Sequence, residues 1–418
     1  MIEAICDRFG IGGAVRASAT KAHKSCSHIA YPAQERVKLA VLSAFLDEGV
    51  AEHDLWGTTG YGYGDSARER YESLLCRIFA TERTLARLSF ASGTQAIVTA
   101  LAACTPAGRT LLSITGKPYD TLRNAIVTAP HALVNTGIAY RETAFASDGS
   151  TASFDFDAIE RELHDESIAT VFVQRSRGYA PRVSANVESC EAAIRFVKAR
   201  RSDVAVLVDN CYGELVEDRE PTHAGADLAI GSLIKNLGGG LAPAGAYVTG
   251  RSDLVERVAA RHYAPGLGDA LGPTLGMGRA LLQGLFYAPL VVEQSLRGLD
   301  FAAALFAELG FEVDPPAGQP RTDIVQAIRL GNADRLSRFA EALQGAMPVN
   351  ARFRPQPGAV PGYVDPVIMS SGAFVSGATI ELSCDAPLRE PFEVYLQGGV
   401  MAEHTMLGAL FAARAVCA

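Results

Sequence analysis

Val204-Ala-Val-Leu-Val208 runs straight into Asp209, and further along the chain Gly231-Ser-Leu-Ile-Lys235-Asn-Leu-Gly-Gly-Gly240 places a lysine three residues after a serine and just before a glycine run. The first stretch is short, apolar and rich in β-branched residues, the pattern of a buried strand. A strand that ends in a carboxylate, followed by Ser-x-x-Lys, provides what a pyridoxal phosphate site requires. The lysine amine forms a Schiff base with the cofactor aldehyde, and the carboxylate keeps the pyridine nitrogen protonated so that the ring accepts carbanion electrons. Alone, Lys235 reads as a solvated loop lysine and Asp209 as a strand-end turn residue; the cofactor reading rests on the two together with the residues below.

Around this pair, short β-rich runs alternate with helical ones. Strands are expected at Thr110–Ile114, Thr170–Gln174, Val204–Val208, Asp227–Ile230 and Gly245–Thr249, with helices at Gly93–Cys104 and Glu188–Arg200. Such alternation implies an α/β fold with a mainly parallel sheet, whose ligands bind at the carboxyl ends of the strands. Ser92-Gly-Thr94 follows Leu88-Ser-Phe-Ala91, read as a further strand, and opens an Ala-, Val- and Leu-rich helix. Unpaired amides, a hydroxyl and the positive end of the helix dipole suit a phosphate there, although an ordinary N-cap has the same appearance. Tyr119 follows a strand and is placed to stack on the pyridine ring. Ser232 offers a second hydroxyl to the phosphate.

The remaining organisation is a helical arm with an interface segment over 1–60, a large cofactor-binding domain over 61–285 and a smaller C-terminal domain over 286–418. The arm contains a helix at Arg36–Asp47, and Ser66 to Phe79 reads as another. A long helix from Leu281 to about Leu309 leads into the small domain. There a strand at Asp323–Leu330, a helix at Ala333–Leu343, a strand-rich stretch at Phe374–Leu382 and a helix at Met401–Ala415 are expected.

The 418 residues are 48% hydrophobic and 20% charged, as in an ordered globular chain of more than one domain. With 38 Lys and Arg against 46 Asp and Glu, the net charge of −8 argues against a nucleic-acid or anionic membrane partner. Eight cysteines without a C-x-x-C pair point to a reducing compartment. No secretory signal or membrane-spanning stretch is visible, so a cytoplasmic location is expected. His23, Cys26 and His28 lack a fourth ligand at zinc spacing, so no metal is expected. Gly10-Ile-Gly-Gly13 lacks the dinucleotide fingerprint, and no Gly-x-Ser-x-Gly elbow is present.

Taken in order, Thr58-Thr-Gly-Tyr-Gly-Tyr-Gly-Asp65, Ser92-Gly-Thr94, Thr115-Gly-Lys-Pro-Tyr-Asp-Thr-Leu122, Gln174-Arg-Ser-Arg-Gly-Tyr179, Val208-Asp-Asn-Cys-Tyr-Gly-Glu214, Gly225–Gly240, Pro361-Gly-Tyr363 and Tyr395-Leu-Gln-Gly-Gly399 carry a resemblance. Over roughly residues 50–410 the chain resembles the cystathionine/methionine γ-lyase group of fold-type I enzymes. It is most similar there to the methionine γ-lyase-like, or aluminium-resistance, branch. The resemblance implies a seven-stranded-type sheet in the large domain and an α+β small domain. It makes Lys235 the Schiff-base lysine, Asp209 the pyridinium partner and Tyr119 the stacking residue, with Gly93, Thr94 and Ser232 on the phosphate; Tyr119 or a nearby tyrosine is expected to protonate the leaving group.

By the same resemblance Tyr61 and Tyr63 contact the neighbouring subunit's cofactor or substrate, which implies a homodimer or homotetramer with shared sites. A planar donor for the substrate α-carboxylate is expected from Arg389, with Arg175 and Arg177 as alternatives. Two departures stand out: Gln95 occupies a substrate-side position where the branch has His, and Leu237 replaces Pro. Gln95 cannot titrate near neutral pH.

The implied reaction is elimination or replacement at the γ-carbon of a sulfur-containing or activated homoserine-type amino acid, through quinonoid and vinylglycine intermediates. Replacement or C–C bond formation with S-adenosylmethionine, aminotransfer, and a catalytically dead binding protein are the alternatives.

Overall fold

The computed structural model describes residues 1–147 and 152–418. They form two compact units, Glu35–Ala288 and Met1–Gln34 together with Pro289–Ala418. The segment 1–60, read above as one arm, is therefore divided between them. The helix Gly278–Glu308 contributes residues to both units.

The larger unit is built on seven strands: β1 (Arg83–Arg87), β2 (Thr110–Ser113), β3 (Ala139–Glu142), β4 (Ile168–Gln174), β5 (Ala205–Asp209), β6 (Leu228–Ser232) and β7 (Ala246–Gly250). Their order is β1-β7-β6-β5-β4-β2-β3. β7 runs antiparallel to both of its neighbours, and all other pairs are parallel. The carboxyl ends of β2, β4, β5 and β6 consequently lie along one edge, with Gln174 opposite Asp209 and Ser232 opposite Ala246.

The apolar runs lack polar alternation because both sheet faces are covered. Leu207, Phe172, Leu228 and Ile230 pack against the helices Gly93–Cys104 and Ser252–His262. Val206, Val208, Val171 and Val173 point the other way, into the helices Phe156–Leu163 and Val187–Arg200. Each such side chain contributes about 1.5–3 kcal/mol by leaving water. Together they make the sheet edge a rigid platform.

The expected strand at Leu88–Ala91 is a turn, and the strand lies just before it, at Arg83–Arg87. The turn spends its backbone donors locally. Phe90 N–H donates to Arg87 O, and Ala91 N–H donates to the Gln95 side chain at 2.7 Å. A strand with arginine at both ends does not resemble a buried one, yet Arg87 is buried through an ion pair with Glu72.

The smaller unit carries an antiparallel sheet of β8 (Glu312–Asp314), β9 (Val325–Arg329), β10 (Val367–Ser371), β11 (Ser383–Pro387) and β12 (Glu393–Gln397), in the order β8-β9-β12-β11-β10. The helices Ala333–Gln344 and Ala402–Val416 pack together where Gly408 admits Leu343. The strand expected over Phe374–Leu382 is a set of turns between β10 and β11. The Glu381 carboxylate accepts from Phe374 N–H and Val375 N–H at 2.9 and 3.1 Å, taking donors that a sheet ladder would need. All eight cysteines are free thiols. Among the described residues, no helix is long and apolar enough to cross a membrane, and no cluster of His, Cys, Asp or Glu is arranged to hold a metal.

Candidate active site

The carboxyl edge of the large sheet collects the residues singled out from the sequence. Asp209 ends β5, buried, with its Oδ1 accepting a hydrogen bond from Cys211 N–H at 3.1 Å. Burial pushes its carboxyl up to about 6, while the Cys211 amide and the Lys235 charge pull the other way. A cation placed against it would complete the site, and a protonated pyridine is one.

Ser232 ends β6, and Lys235 follows on a turn whose N–H reaches back to Ser232 O. The Lys235 ammonium sits over the Tyr212 ring, 3.7 Å from its centroid. Burial works against its charge, but Tyr212, Cys211 and Glu214 outweigh that and hold the amine above its ordinary value. Asn236, next in sequence, fastens this turn by donating to Tyr212 O and Glu214 O at 2.9 and 2.8 Å.

The phosphate-binding expectation centres on the first turn of the helix Gly93–Cys104. Ser92 caps it, its Oγ accepting from Gln95 N–H at 3.1 Å. Gly93 lies directly against the end of β6. A Cβ on it would stand 3.2 Å from Ser232 Cβ and 3.5 Å from Cys211 Sγ. The absence of a side chain keeps a cradle open between a helix N-terminus and a serine hydroxyl, which suits a dianion. Thr94 Oγ1 shares a 2.7 Å hydrogen bond with the Tyr119 hydroxyl, and Tyr119 N–H donates to Gln174 Oε1 at 2.9 Å. Tyr119 is thus joined to the same turn. The donor set, the cradle and the buried carboxylate fit pyridoxal phosphate.

Other expected residues have different surroundings. The Gln95 side chain is exposed and committed to the Ala91 amide, so it closes the turn before the helix. Arg175, an alternative for a substrate carboxylate, is buried, with its guanidinium on Asn210, Glu217 and Ala185 O. These partners make it a scaffold residue beneath the β5 end. Arg177 is also buried, its N–H on Ser184 Oγ at 3.0 Å. Arg389 lies in the smaller unit on the turn after β11, half-buried, with Nη1 3.6 Å from Asp365 Oδ2.

The glycine and tyrosine loop is rigidly mounted. Asp65 Oδ2 accepts from Thr58 N–H, Thr58 Oγ1 and Thr274 N–H at 2.6–2.8 Å, and Oδ1 accepts from Arg68 N–H at 3.0 Å. Arg68 donates to Gly62 O at 2.8 Å and Gly272 O at 3.0 Å. Gly62, at φ +71°, packs on Pro273 where a Cβ would overlap backbone. Tyr61 and Tyr63 are nevertheless 72% and 63% exposed, their rings 5.8 Å apart.

Two site residues were not singled out from the sequence. Tyr212, three positions after Asp209, forms the surface under Lys235. Gln174 orients Tyr119 from the neighbouring strand end. Proximity to the Asp209 strand end is the signal that would have drawn attention to both.

The methionine gamma-lyase family profile matches residues 14–417. The chain is 39% identical over 394 residues to the YnbB protein of Bacillus subtilis, covering 93% of this chain and 92% of that one. A structure from Clostridium novyi, described as a carbon-sulfur lyase involved in aluminum resistance, superposes with a TM-score of 0.92. It is 36% identical and covers 99% of this chain and 98% of its own. Cystathionine gamma-lyase of Lactobacillus plantarum shares the fold at 17% identity, with a TM-score of 0.59 over 85% of this chain and 87% of its own. The chain belongs to the methionine gamma-lyase family of pyridoxal phosphate-dependent enzymes, with the fold-type I architecture.

Proposed function

We propose that, within this family, the chain is a carbon–sulfur lyase or γ-replacement enzyme acting on a sulfur-containing or activated homoserine-type amino acid, S-adenosylmethionine included. The observation that carries the reading is the meeting of Lys235, Asp209 and the Gly93–Ser232 cradle at one strand edge. The name of the Clostridium novyi relative agrees with this chemistry. Pyridoxal phosphate, when bound, supplies a ring that accepts the electrons of a carbanion beside the substrate nitrogen.

The protein's part is binding and proton handling. Asp209 holds the proton on the ring nitrogen. Ser232, Thr94 and the amides at the start of the helix Gly93–Cys104 grip the phosphate. The freed Lys235 amine takes the α-proton, with Tyr212 beneath it restricting where the amine swings. Tyr119, tied to Thr94 and Gln174, gives its proton to the departing group. Arg389 receives the α-carboxylate, with Arg177 the second choice, since Arg175 is already committed. Tyr61 and Tyr63 serve a neighbouring copy's site in a homodimer or homotetramer, as their exposure on a rigid loop supports.

The test is to supply purified protein with sulfur amino acids, O-acylated homoserines and S-adenosylmethionine, with no amino acceptor added. Release of ammonia and a 2-oxo acid is expected, or a γ-replacement product when a second nucleophile is present. Lys235→Ala should abolish both, and borohydride reduction of the wild type should leave the cofactor on the Lys235 peptide. Labelling of another lysine sinks the site assignment, whereas turnover only with an added 2-oxo acid would make the protein an aminotransferase.

A further inference from the structure

Behind the strand edge that carries Asp209 and Lys235 is a buried acid cluster that the reaction above does not use. Glu214, Glu217 and Glu220 follow β5, with Arg175 reaching them from the end of β4. Arg175 engages Glu217 and Asn210 Oδ1. Asn210 Nδ2 donates to Glu220 Oε2 at 2.7 Å, and Leu215 N–H donates to Glu220 Oε1 at 2.8 Å. Glu214 is less well provided for. Its Oε1 accepts from the Tyr247 hydroxyl at 3.1 Å, and its Oε2 has no hydrogen-bond partner among the described residues.

Glu214 is nonetheless packed against the cofactor machinery. Gly231, the residue before Ser232, lies on its carboxylate so closely that a Cβ would overlap Glu214 Oε1 and the Tyr247 ring. Asn236, the residue after Lys235, donates to the Glu214 carbonyl. The turn bearing Lys235 thus packs on the Glu214 carboxylate at one end and is hydrogen-bonded to the Glu214 carbonyl at the other.

Glu214, Glu220 and Arg175 are buried and Glu217 is half-buried, so the three carboxylates cannot all be charged beside one guanidinium without a large desolvation cost. Glu217 has Arg175 and Glu220 has two donors, which leaves Glu214 as the weakest anion. The groups that bear on it are Tyr71 from the helix Ser66–Phe79, Arg175 after β4, Cys211 and Glu220 after β5, Lys235 after β6 and Tyr247 on β7. Burial first, then Glu220, push its carboxyl up to about 8, against Tyr247 and Lys235.

We propose that Glu214 is a proton-holding positioning residue: a neutral acid in the resting site, whose ionisation places a negative charge behind Lys235 and so sets how firmly the lysine-linked cofactor nitrogen keeps its proton. On ionisation the proton passes to solvent and the electron pair stays on the carboxylate. The inference rests on Lys235 being the cofactor lysine.

The experiment follows the visible absorbance of the pyridoxal phosphate-loaded protein against pH in the wild type, Glu214→Gln and Tyr247→Phe. Wild type and Glu214→Gln should coincide near neutral pH, where both side chains are uncharged. Above about 8, where the Glu214 carboxyl loses its proton, Glu214→Gln should lose the protonated band at lower pH than the wild type. Tyr247→Phe removes a hydrogen bond that favours the carboxylate, so its curve should depart from that of Glu214→Gln only at higher pH. It also carries the test if Glu214→Gln does not load. Superimposable curves for wild type and variants, or one constant offset at every pH, would overturn the proposal. A wild type with no lysine-linked band, or with the label away from Lys235, would instead remove the underlying site reading.

Discussion

The Lys235 ammonium rests 3.7 Å from the centre of the Tyr212 ring, and Tyr212 holds a left-handed backbone at φ +71° to present that ring. Such a conformation costs a bulky residue about 1 kcal/mol or more, and it persists because neighbours such as Asn236 pin the carbonyl. The contact contributes about 0.5–2 kcal/mol to the charged amine. Tyr212→Leu should therefore move the Lys235 titration to lower pH. The readout is the pH dependence of the rate at which cofactor-free protein captures pyridoxal phosphate; a profile identical to wild type would refute the contact's role.

Asp209 makes cofactor binding pH-dependent with a definite sign. Its carboxyl is raised to about 6 by burial, so below that pH a protonated pyridine can bind only by displacing a proton. Affinity should fall by about tenfold for each pH unit below this point. The same shift lowers folding stability as pH rises from about 4 towards 6, because the unfolded chain releases the proton first. Asp209→Asn should remove the pH dependence of binding and slow turnover by roughly thirty- to a thousandfold, or about 2–4 kcal/mol. Equilibrium titrations at two pH values together with steady-state rates decide it, and turnover at wild-type speed would contradict the role.

Gly93→Ala separates the cradle from the fold. The gain in helix propensity at this first helical position opposes the close approach of the new methyl to Ser232, so the melting temperature of the cofactor-free protein should change by only a few degrees, about 1 kcal/mol or less. The new methyl would stand 3.2 Å from Ser232 Cβ, in the space assigned to phosphate, and affinity for pyridoxal phosphate should drop at least about tenfold. Calorimetry and a binding titration report the two effects independently. Unchanged affinity would place the phosphate elsewhere.

Tyr61 and Tyr63 are largely exposed on a loop that Asp65 ties to Thr58 and Thr274. If they serve a neighbouring copy, a Tyr61/Tyr63 double variant mixed with Lys235→Ala should regain activity, since one kind of mixed site keeps both a lysine and a tyrosine pair. No recovery despite demonstrated subunit exchange would rule this out, as would an active monomer.

The strand ending at Asp209 was legible because a short, β-branched apolar run forms a buried strand, and its end stood out only in combination with Ser232-x-x-Lys235, since either residue alone is commonplace. The helix over Gly93–Cys104 was legible because its serine cap and alanine-rich body are local signals. What the sequence hid depended on distant partners. Arg175 and Arg177 look alike in Gln-Arg-Ser-Arg-Gly-Tyr, and only Asn210 and Glu217, brought in after another strand, reveal that Arg175 is a buried brace. Gln95 was placed on the substrate side only by resemblance, and its local sequence does not announce that its amide oxygen accepts from Ala91 N–H. The Phe374–Leu382 stretch has strand composition, but Glu381 captures its amides.

Asp65 sets a contrast with the floor of the cofactor site. Its burial is outweighed by donors from Thr58, Thr274 and Arg68, which hold its carboxyl down to about 2. The clasp that mounts Tyr61 and Tyr63 therefore keeps its charge across the whole range in which Asp209, at about 6, and Glu214, at about 8, change theirs. Acidification would weaken the hold on the cofactor long before it loosened the mounting, so protein stripped of cofactor at pH 5 should regain activity on neutralisation with added pyridoxal phosphate, without any reassembly of the loop.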